Sequence, residues 1–225
     1  MTSLVLELQG IGKRFADGHV ALDGVDLEVR PGELVSVLGP AGCGKSTLLR
    51  IVAGLTGPTS GMVTLGTRRV GLVFSDPALL PWRGMLASLD RPPRLRPELF
   101  LLDEPFDVVD DLSRHRHNEE LARLHLERGF AALLATRSVT EAVLLSSRVV
   151  VLSPRPGRVV RELAVPLPYP RSPRHLSGAV SRLAAEVAGC LHAGGQVPAP
   201  TPAGAGAAHL PAAGPAPATA STPNP

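Results

Sequence analysis

A glycine-rich stretch that ends in a lysine and a serine has the composition of a phosphate-binding loop. Gly39, Gly44, Lys45 and Ser46 satisfy the pattern G-x-x-x-x-G-K-[ST]. Glycines there let backbone N–H groups turn inward around phosphate oxygens, and a following helix adds partial positive charge at its N-terminus. Lys45 would reach the β- and γ-phosphates, and Ser46 would ligate Mg²⁺. A plain glycine-rich turn is the alternative. The predicted nucleotide-binding residues are Gly39, Pro40, Ala41, Gly42, Cys43, Gly44, Lys45, Ser46 and Thr47.

An acidic pair follows an apolar run further along the chain. The segment 99–105 reads LFLLDEP, so a buried strand would deliver Asp103 to the edge of a sheet. There Asp103 could hold Mg²⁺ through water, and Glu104 could act as the general base that polarises an attacking water. The alternative is an acidic cap at a strand end. Beside a phosphate loop, the pair favours a nucleoside triphosphatase.

Lysine is scarce, and this restricts the function classes. Of 23 basic residues only Lys13 and Lys45 are lysines, and neither follows an asparagine, so the guanine-reading Asn-Lys-x-Asp pattern of GTPases is absent. Arg91, Arg94 and Arg96 could form a basic patch. However, no aromatic residues are interleaved with them, and the whole chain favours arginine, so no nucleic-acid partner is predicted.

Composition sets the broad class of the protein. The 225 residues are 44% hydrophobic and 19% charged, with a formal net charge of +3, which is enough apolar content for a core. No run approaches the roughly 18 apolar residues of a membrane span, and no secretion signal is visible. Two cysteines, Cys43 and Cys190, cannot form a disulfide framework, which favours a reducing, cytoplasmic location.

Hydrophobic periodicity predicts the elements that would position these residues. Strands are expected at 4–8, 25–29, 34–38, 70–74, 99–102, 131–135, 149–152 and 159–165, the last two as a hairpin turning at 156–157. Helices are expected at 45–53, at 111–128, and after Ser138, where Glu141 completes a capping box. Strands that alternate with helices predict an α/β fold with a mainly parallel sheet.

Three regions are predicted. Residues 1–170 would form the nucleotide-binding core, 171–192 a C-terminal helical segment, and 193–225 a disordered tail. That tail is rich in Ala, Pro and Gly and carries no charge.

From about residue 4 to residue 171 the chain resembles the ATP-binding subunit of ABC transporters, of the nitrate, sulfonate and taurine importer type. The phosphate loop and the Asp-Glu pair are general to P-loop ATPases. The resemblance to this particular importer type depends on the segments 79–82 and 153–157. The matching segments are 20–29 (VALDGVDLEV), 31–33 (PGE), the phosphate loop, 51–54 (IVAG), 79–82 (LLPW), 101–106 (LLDEPF), 141–145 (EAVLL) and 153–157 (SPRPG).

The resemblance implies a P-loop ATPase core with N-terminal antiparallel strands, ATP and Mg²⁺ as cofactors, and hydrolysis coupled to solute import. It implies as partners a second ATP-binding subunit and membrane permease subunits, and a peripheral location on the inner face of the plasma membrane. Phe15 stands where the family stacks an aromatic ring on adenine; a core phenylalanine is the alternative.

Three departures from the family pattern bear on activity. Ser75 replaces a glutamine that touches Mg²⁺ and is a weaker candidate ligand, while Arg137 replaces a histidine that contacts the γ-phosphate. Lys45 and Asp103 are only 58 residues apart, and 83–97 stands where the family has its helical subdomain. The signature Leu-Ser-Gly-Gly-Gln is therefore missing; residues 176–178 (LSG) follow the Asp-Glu pair and lack its second glycine.

These losses predict Mg·ATP binding with impaired hydrolysis, because the signature supplies donors to the transferring phosphoryl group. Two alternatives remain open: a non-hydrolysing remnant or regulatory nucleotide-binding module, and a half-active partner of an intact ATPase subunit.

A histidine pair and a cysteine of the phosphate loop are not predicted to form a further site. His115 and His117 diverge by about 200° on a helix and would not share a metal. Cys43 near a helix N-terminus is expected to be a passive thiol rather than a redox-sensitive one.

Overall fold

A six-stranded sheet with a smaller antiparallel sheet beside it forms the framework of the chain. The structure is a computed structural model that describes residues 4–74, 96–107, 109–169, 171 and 177–193. The strands are β1 Leu6–Arg14, β2 Val20–Val29, β3 Leu34–Leu38, β4 Ser60–Leu65, β5 Val70–Val73, β6 Leu99–Asp103, β7 Ala131–Thr136, β8 Arg148–Leu152 and β9 Val159–Ala164, and the helices are α1 Lys45–Val52, α2 Asp111–Arg128, α3 Val139–Leu145 and α4 Ser177–Ala193.

The larger sheet has the strand order β5-β6-β7-β3-β8-β9. All neighbours are parallel except β8 and β9, which form the predicted antiparallel hairpin. Every residue of β3, β6 and β7 is buried, as expected for parallel strands covered on both faces. Because these strands run the same way, the residues that follow β3, β6 and β7 meet at one edge of the sheet. The predicted α/β fold with a mainly parallel sheet is confirmed.

The smaller sheet pairs β1 with β2 and β4, all antiparallel. The apolar patterns at 4–8 and 25–29 predicted parts of β1 and β2, whereas no strand was predicted at β4. Five of the six residues of β4 are exposed, and Met62 at its centre is 56% exposed. The sequence therefore shows no alternation of apolar and polar residues from which this strand could be predicted. It is specified instead by pairing with β1.

The connection between β5 and β6 contains the segment where the family's helical subdomain was predicted to be missing. Val70 pairs with Leu99, so the two strands are parallel neighbours although only residues 74–98 join them. Residues 75–95, which hold most of the segment 83–97, lie outside the described part of the chain. So does the predicted tail after residue 193.

The ends of α1 and α2 show common capping residues. Asp110 precedes α2 and its side chain accepts a hydrogen bond from the Ser113 amide at 3.0 Å, while Gly129 ends the helix at φ 63°. Gly54, at φ 71°, follows α1. Among the described residues, no helix combines the length and apolarity that a membrane span requires.

Candidate functional site

The phosphate loop lies between β3 and α1, at the carboxyl edge of the larger sheet. Gly42 (φ 74°) and Gly44 (φ 106°) adopt left-handed conformations that favour glycine. A Cβ atom on Gly44 would lie 2.7 Å from the carbonyl oxygen of Ala21. The loop therefore needs glycine at this position both for its conformation and for its close approach to β2.

The side chain of Lys45 folds back over the loop. It is only 3% exposed, and its Nζ donates to the carbonyl oxygens of Gly39 at 2.8 Å and Pro40 at 3.1 Å. Glu104 Oε1 lies 3.4 Å from the same Nζ. The ammonium thus occupies the mouth of the loop, where it can exchange these carbonyl partners for phosphate oxygens.

Ser46 and Asp103 meet across the loop and β6. Ser46 Oγ donates to Asp103 Oδ1 at 3.0 Å, although the two residues are 57 positions apart. A hydroxyl and a carboxylate side by side are hard oxygen ligands of the kind that Mg²⁺ accepts alongside water and phosphate. Burial raises the pKa of Asp103, and the Ser46 hydrogen bond partly offsets this. The pair fits the predicted Mg²⁺ site, because a nearby cation would favour the ionised carboxylate.

Within the described ranges, no group of three or more His, Cys, Asp or Glu side chains could hold a metal by itself.

Glu104 directly follows β6 in an unusual backbone conformation. It has a φ of 45°, which a residue with a side chain rarely adopts, and its amide donates to the Ala135 carbonyl at 2.9 Å. Such conformations persist where the surrounding structure enforces them, often at functional sites. Here the conformation directs the carboxylate toward Lys45 and Arg137.

Arg137 forms ion pairs at the same edge. Its Nε donates to Glu104 Oε2 at 2.8 Å, and its Nη2 contacts Asp107. The hydrogen bond and charge of Glu104 raise the pKa of Arg137. An open cavity of about 230 Å³ borders this cluster and is lined by Glu104, Phe106, Asp107, Arg114, Thr136, Arg137, Ser138 and Glu141.

One of the residues that line the cavity is a buried carboxylate. Glu141 is 4% exposed and accepts a hydrogen bond from Thr136 Oγ1; burial raises its pKa. Ser138 caps α3 as predicted, accepting from the Glu141 amide at 3.2 Å. The expected reciprocal half of the capping box is absent, because the Ser138 amide donates to Thr136 Oγ1 instead.

Phe15 lies at the start of the β1–β2 loop and not in the core. It is 41% exposed, which excludes the alternative of a core phenylalanine. Lys13 Nζ is 5.3 Å from the centre of its ring, and the His19 ring is 5.9 Å away. An exposed ring is available for stacking on a base.

Other predicted residues fall outside this arrangement. Ser75 lies outside the described residues, so its role as a weak Mg²⁺ ligand remains a prediction. The His117 ring stacks on Phe106, at 5.7 Å between ring centres. Cys43 is 1% exposed, and burial raises the pKa of its thiol, which outweighs the lowering expected near a helix N-terminus.

Two charged residues near the site were not identified from sequence. Asp107 shares Arg137 with Glu104, and Arg155 reaches the phosphate loop from the β8–β9 turn. In the sequence, the only indication of a role for Asp107 is its position shortly after the Asp-Glu pair. Arg155 stands inside the segment SPRPG, which had been used for resemblance and given no site role.

Comparison with known folds agrees with the architecture. The chain superposes on cbiO1 from Clostridium perfringens, part of an ABC transporter complex, with a TM-score of 0.59 at 18% identity, covering 84% of this chain and 98% of that one. It also superposes on a dimeric ATP-binding cassette bound to ADP and Pi, with a TM-score of 0.57 at 21% identity, covering 71% and 98%.

Sequence comparison identifies closer relatives. The aliphatic sulfonates import ATP-binding protein SsuB 1 of Xanthomonas axonopodis pv. citri is 33% identical, covering 85% of this chain and 98% of the relative. The nitrate import ATP-binding protein NrtC of Synechococcus elongatus is 34% identical over 74% of this chain and 33% of the relative. The alignment with the Xanthomonas protein spans 248 positions, more than the 225 residues of this chain, so it contains positions that this chain lacks.

The family described as "ABC transporter" matches residues 22–88, which include the whole phosphate loop. The match ends inside the segment where the helical subdomain was expected to be missing. Together with the extent of similarity to the Xanthomonas protein, this shows that the chain belongs to the ATP-binding proteins of ABC transporters.

Proposed function

We propose that this chain is the ATP-binding subunit of an importer for small oxyanions of the sulfonate or nitrate kind, and that it binds Mg·ATP but hydrolyses it slowly by itself. The observation that carries the proposal is the joint placement of Lys45, Ser46 and Asp103 at the mouth of one glycine-rich loop. The relatives named for sulfonate and nitrate import support the class of solute.

In nucleotide binding, each residue has a distinct task. The amides of the phosphate loop cradle the phosphates, and Lys45 leaves the carbonyls of Gly39 and Pro40 for the β- and γ-phosphates. Ser46 and Asp103 would hold Mg²⁺, which neutralises phosphate charge when bound. The exposed ring of Phe15 stacks on adenine.

Slow hydrolysis follows from what surrounds Glu104. A general base must be free to orient water, whereas this carboxylate is paired with Arg137 and, without nucleotide, also with Lys45. The sequence also lacks the signature motif that would donate to the transferring phosphoryl group. Removing a single donor of this kind typically costs on the order of 10²–10³ in rate. Arg137 supplies positive charge but cannot accept a proton as a histidine could.

A second candidate is a half-active partner of an intact ATP-binding subunit. The pairing of a complete phosphate loop with a missing signature favours it, because a partner's signature could complete one of two composite sites. In either case the chain would act on the inner face of the plasma membrane beside permease subunits, as the relatives named for import indicate.

Titration calorimetry of the purified chain with Mg·ATP tests the proposal. Micromolar binding that disappears in Lys45→Ala is expected. Arg123→Ala, a basic residue on α2 paired with Glu127, is the matched control and should bind as the wild type does. A folded wild-type chain that does not bind Mg·ATP, or a Lys45→Ala variant that binds it equally well, would contradict the assignment.

A further inference from the structure

The turn that joins β8 to β9 lies directly against the phosphate loop. Arg155 Nε donates to the carbonyl oxygen of Gly42 at 3.2 Å, across 113 positions of sequence. Gly157 approaches the next residue of the loop so closely that a Cβ atom there would lie 2.1 Å from the Cys43 carbonyl oxygen. Two consecutive carbonyls of the phosphate loop therefore face this turn.

The turn is itself fixed in place by β2 and by internal hydrogen bonds. The Gly157 amide donates to the Ala21 carbonyl at 2.9 Å, and the Gly157 carbonyl accepts from the Asp23 amide at 3.0 Å. Ser153 Oγ donates to the Pro156 carbonyl at 2.7 Å and accepts from the Arg158 amide at 3.0 Å. A turn held at so many backbone positions can act as a rigid support.

Arg155 also contacts the side of the site where the base is proposed to bind. Its Nη1 lies 3.2 Å from His19 Nδ1. The His19 carbonyl accepts the Phe15 amide at 2.8 Å, and the two rings are 5.9 Å apart. One guanidinium thus links the loop that carries Phe15 to the phosphate loop.

Peptide geometry explains what this contact does. In a trans peptide the carbonyl and the following N–H point in opposite directions. Because the Gly42 carbonyl points toward Arg155, the Cys43 amide points into the loop, where it makes only a long 3.4 Å bond to the Pro40 carbonyl. That amide is available to a phosphate oxygen.

We infer that the β8–β9 turn positions the phosphate loop, and that Arg155 is its positioning residue, holding the Gly42 carbonyl outward so that the loop amides face the phosphates. This inference rests on the proposed nucleotide binding. Arg155 is exposed, so its replacement removes the contact at little cost to the core.

The test compares Arg155→Ala with Arg158→Ala. Arg158 is an exposed arginine on the same turn, and it pairs with Asp23 rather than with the phosphate loop. Loss of the hydrogen bond to Gly42 is expected to weaken Mg·ATP binding by about tenfold in Arg155→Ala. Amide hydrogen exchange of residues 40–47 in the nucleotide-free protein should become faster. Arg158→Ala should change neither, and Arg155→Lys should recover part of the affinity, because an ammonium can still donate to the Gly42 carbonyl.

Unchanged affinity and exchange in Arg155→Ala would overturn the inference. Equal losses in both arginine variants would also overturn it, because they would indicate general loosening of the turn. If the wild-type chain does not bind Mg·ATP, the proposed function fails. The exchange measurement still decides the positioning role, since it needs no nucleotide.

Discussion

The Nε atom of Arg137 donates a 2.8 Å hydrogen bond to Oε2 of Glu104. The other oxygen of the same carboxylate is 3.4 Å from Lys45 Nζ, so one carboxylate bridges two cations at the edge of the sheet. The side chains of Glu104 and Lys45 are 18% and 3% exposed, which leaves their attraction less screened than that of a surface pair, whereas Arg137 is 46% exposed. In the nucleotide-free protein, Glu104 therefore competes with phosphate for Lys45.

Replacing this carboxylate should strengthen nucleotide binding rather than abolish turnover. In Glu104→Gln, Lys45 and Arg137 lose a competing negative charge, and the phosphates lose a repulsive one. We expect the affinity for Mg·ATP to rise about three- to tenfold, because the partly screened attraction between Glu104 and Lys45 no longer competes with the phosphates. Phosphate release should stay near the wild-type background. Calorimetry and a phosphate-release assay measure the two effects.

Glu127→Gln is the control for Glu104→Gln, because Glu127 is on the exposed face of α2, paired only with Arg123 among the contacts described. A clear fall in phosphate release in Glu104→Gln would contradict the proposal of slow hydrolysis, since it would show that the carboxylate works as a base despite its two ion pairs.

The Ser46–Asp103 pair predicts a metal-dependent component of binding. Asp103→Asn keeps the size of the side chain and can still accept from Ser46 Oγ, but it removes the negative charge that Mg²⁺ requires. We expect the gain in ATP affinity on adding Mg²⁺ to fall by about tenfold, while binding of ATP in the presence of a chelator stays at least as strong as in the wild type. Titrations with and without Mg²⁺ give the ratio. An unchanged ratio would place the metal elsewhere.

Much of this arrangement is visible in the sequence because it depends on local patterns. The apolar runs of β3, β6 and β7 have lengths typical of buried parallel strands, and the loop glycines have conformational reasons for being glycine. Parallel strands bring their carboxyl ends together, so the approach of Asp103 to Ser46 follows from topology. The expectation of a phosphate loop between a strand and a helix needed no tertiary information.

The remaining features depend on tertiary contacts. β4 has no apolar periodicity, since it is stabilised by pairing with β1 at an exposed sheet edge. Glu141 was expected to complete a capping box, but Thr136 offers its carboxylate a closer partner. The contact of Arg155 with Gly42 joins residues 113 positions apart, and no spacing rule identifies such a pair.

Cys43 is predicted to be protected from modification. It is 1% exposed, and burial raises the pKa of its thiol, so little thiolate is present or accessible at neutral pH. Cys190 is only half-buried. We expect a maleimide to modify Cys190 at least about tenfold faster than Cys43 in the native protein, with both reacting in denaturant. Peptide mass spectrometry after timed quenching distinguishes the two; equal native rates would contradict the placement of Cys43.

Glu141 predicts a specific dependence of stability on pH. Burial raises its pKa above the usual 4.5, so the folded protein holds this proton more tightly than the unfolded chain does. Its contribution to the free energy of unfolding is therefore present below pH 4.5 and is lost as the pH rises through the raised pKa. Glutamine cannot titrate, and its amide oxygen can still accept from Thr136. Glu141→Gln should thus gain stability relative to the wild type between pH 4.5 and neutrality.

Urea unfolding at several pH values measures this difference for Glu141→Gln and for the surface control Glu127→Gln. Burial also raises the pKa of Asp103. Because Asp103 is present in every protein compared, its effect cancels when each variant's free energy of unfolding is subtracted from that of the wild type. The control should keep a nearly constant difference from the wild type. If Glu141→Gln instead loses stability relative to the wild type as the pH rises, the ionised carboxylate must be stabilised in the fold. The Arg114 charge, which lowers the pKa of Glu141, would then outweigh burial.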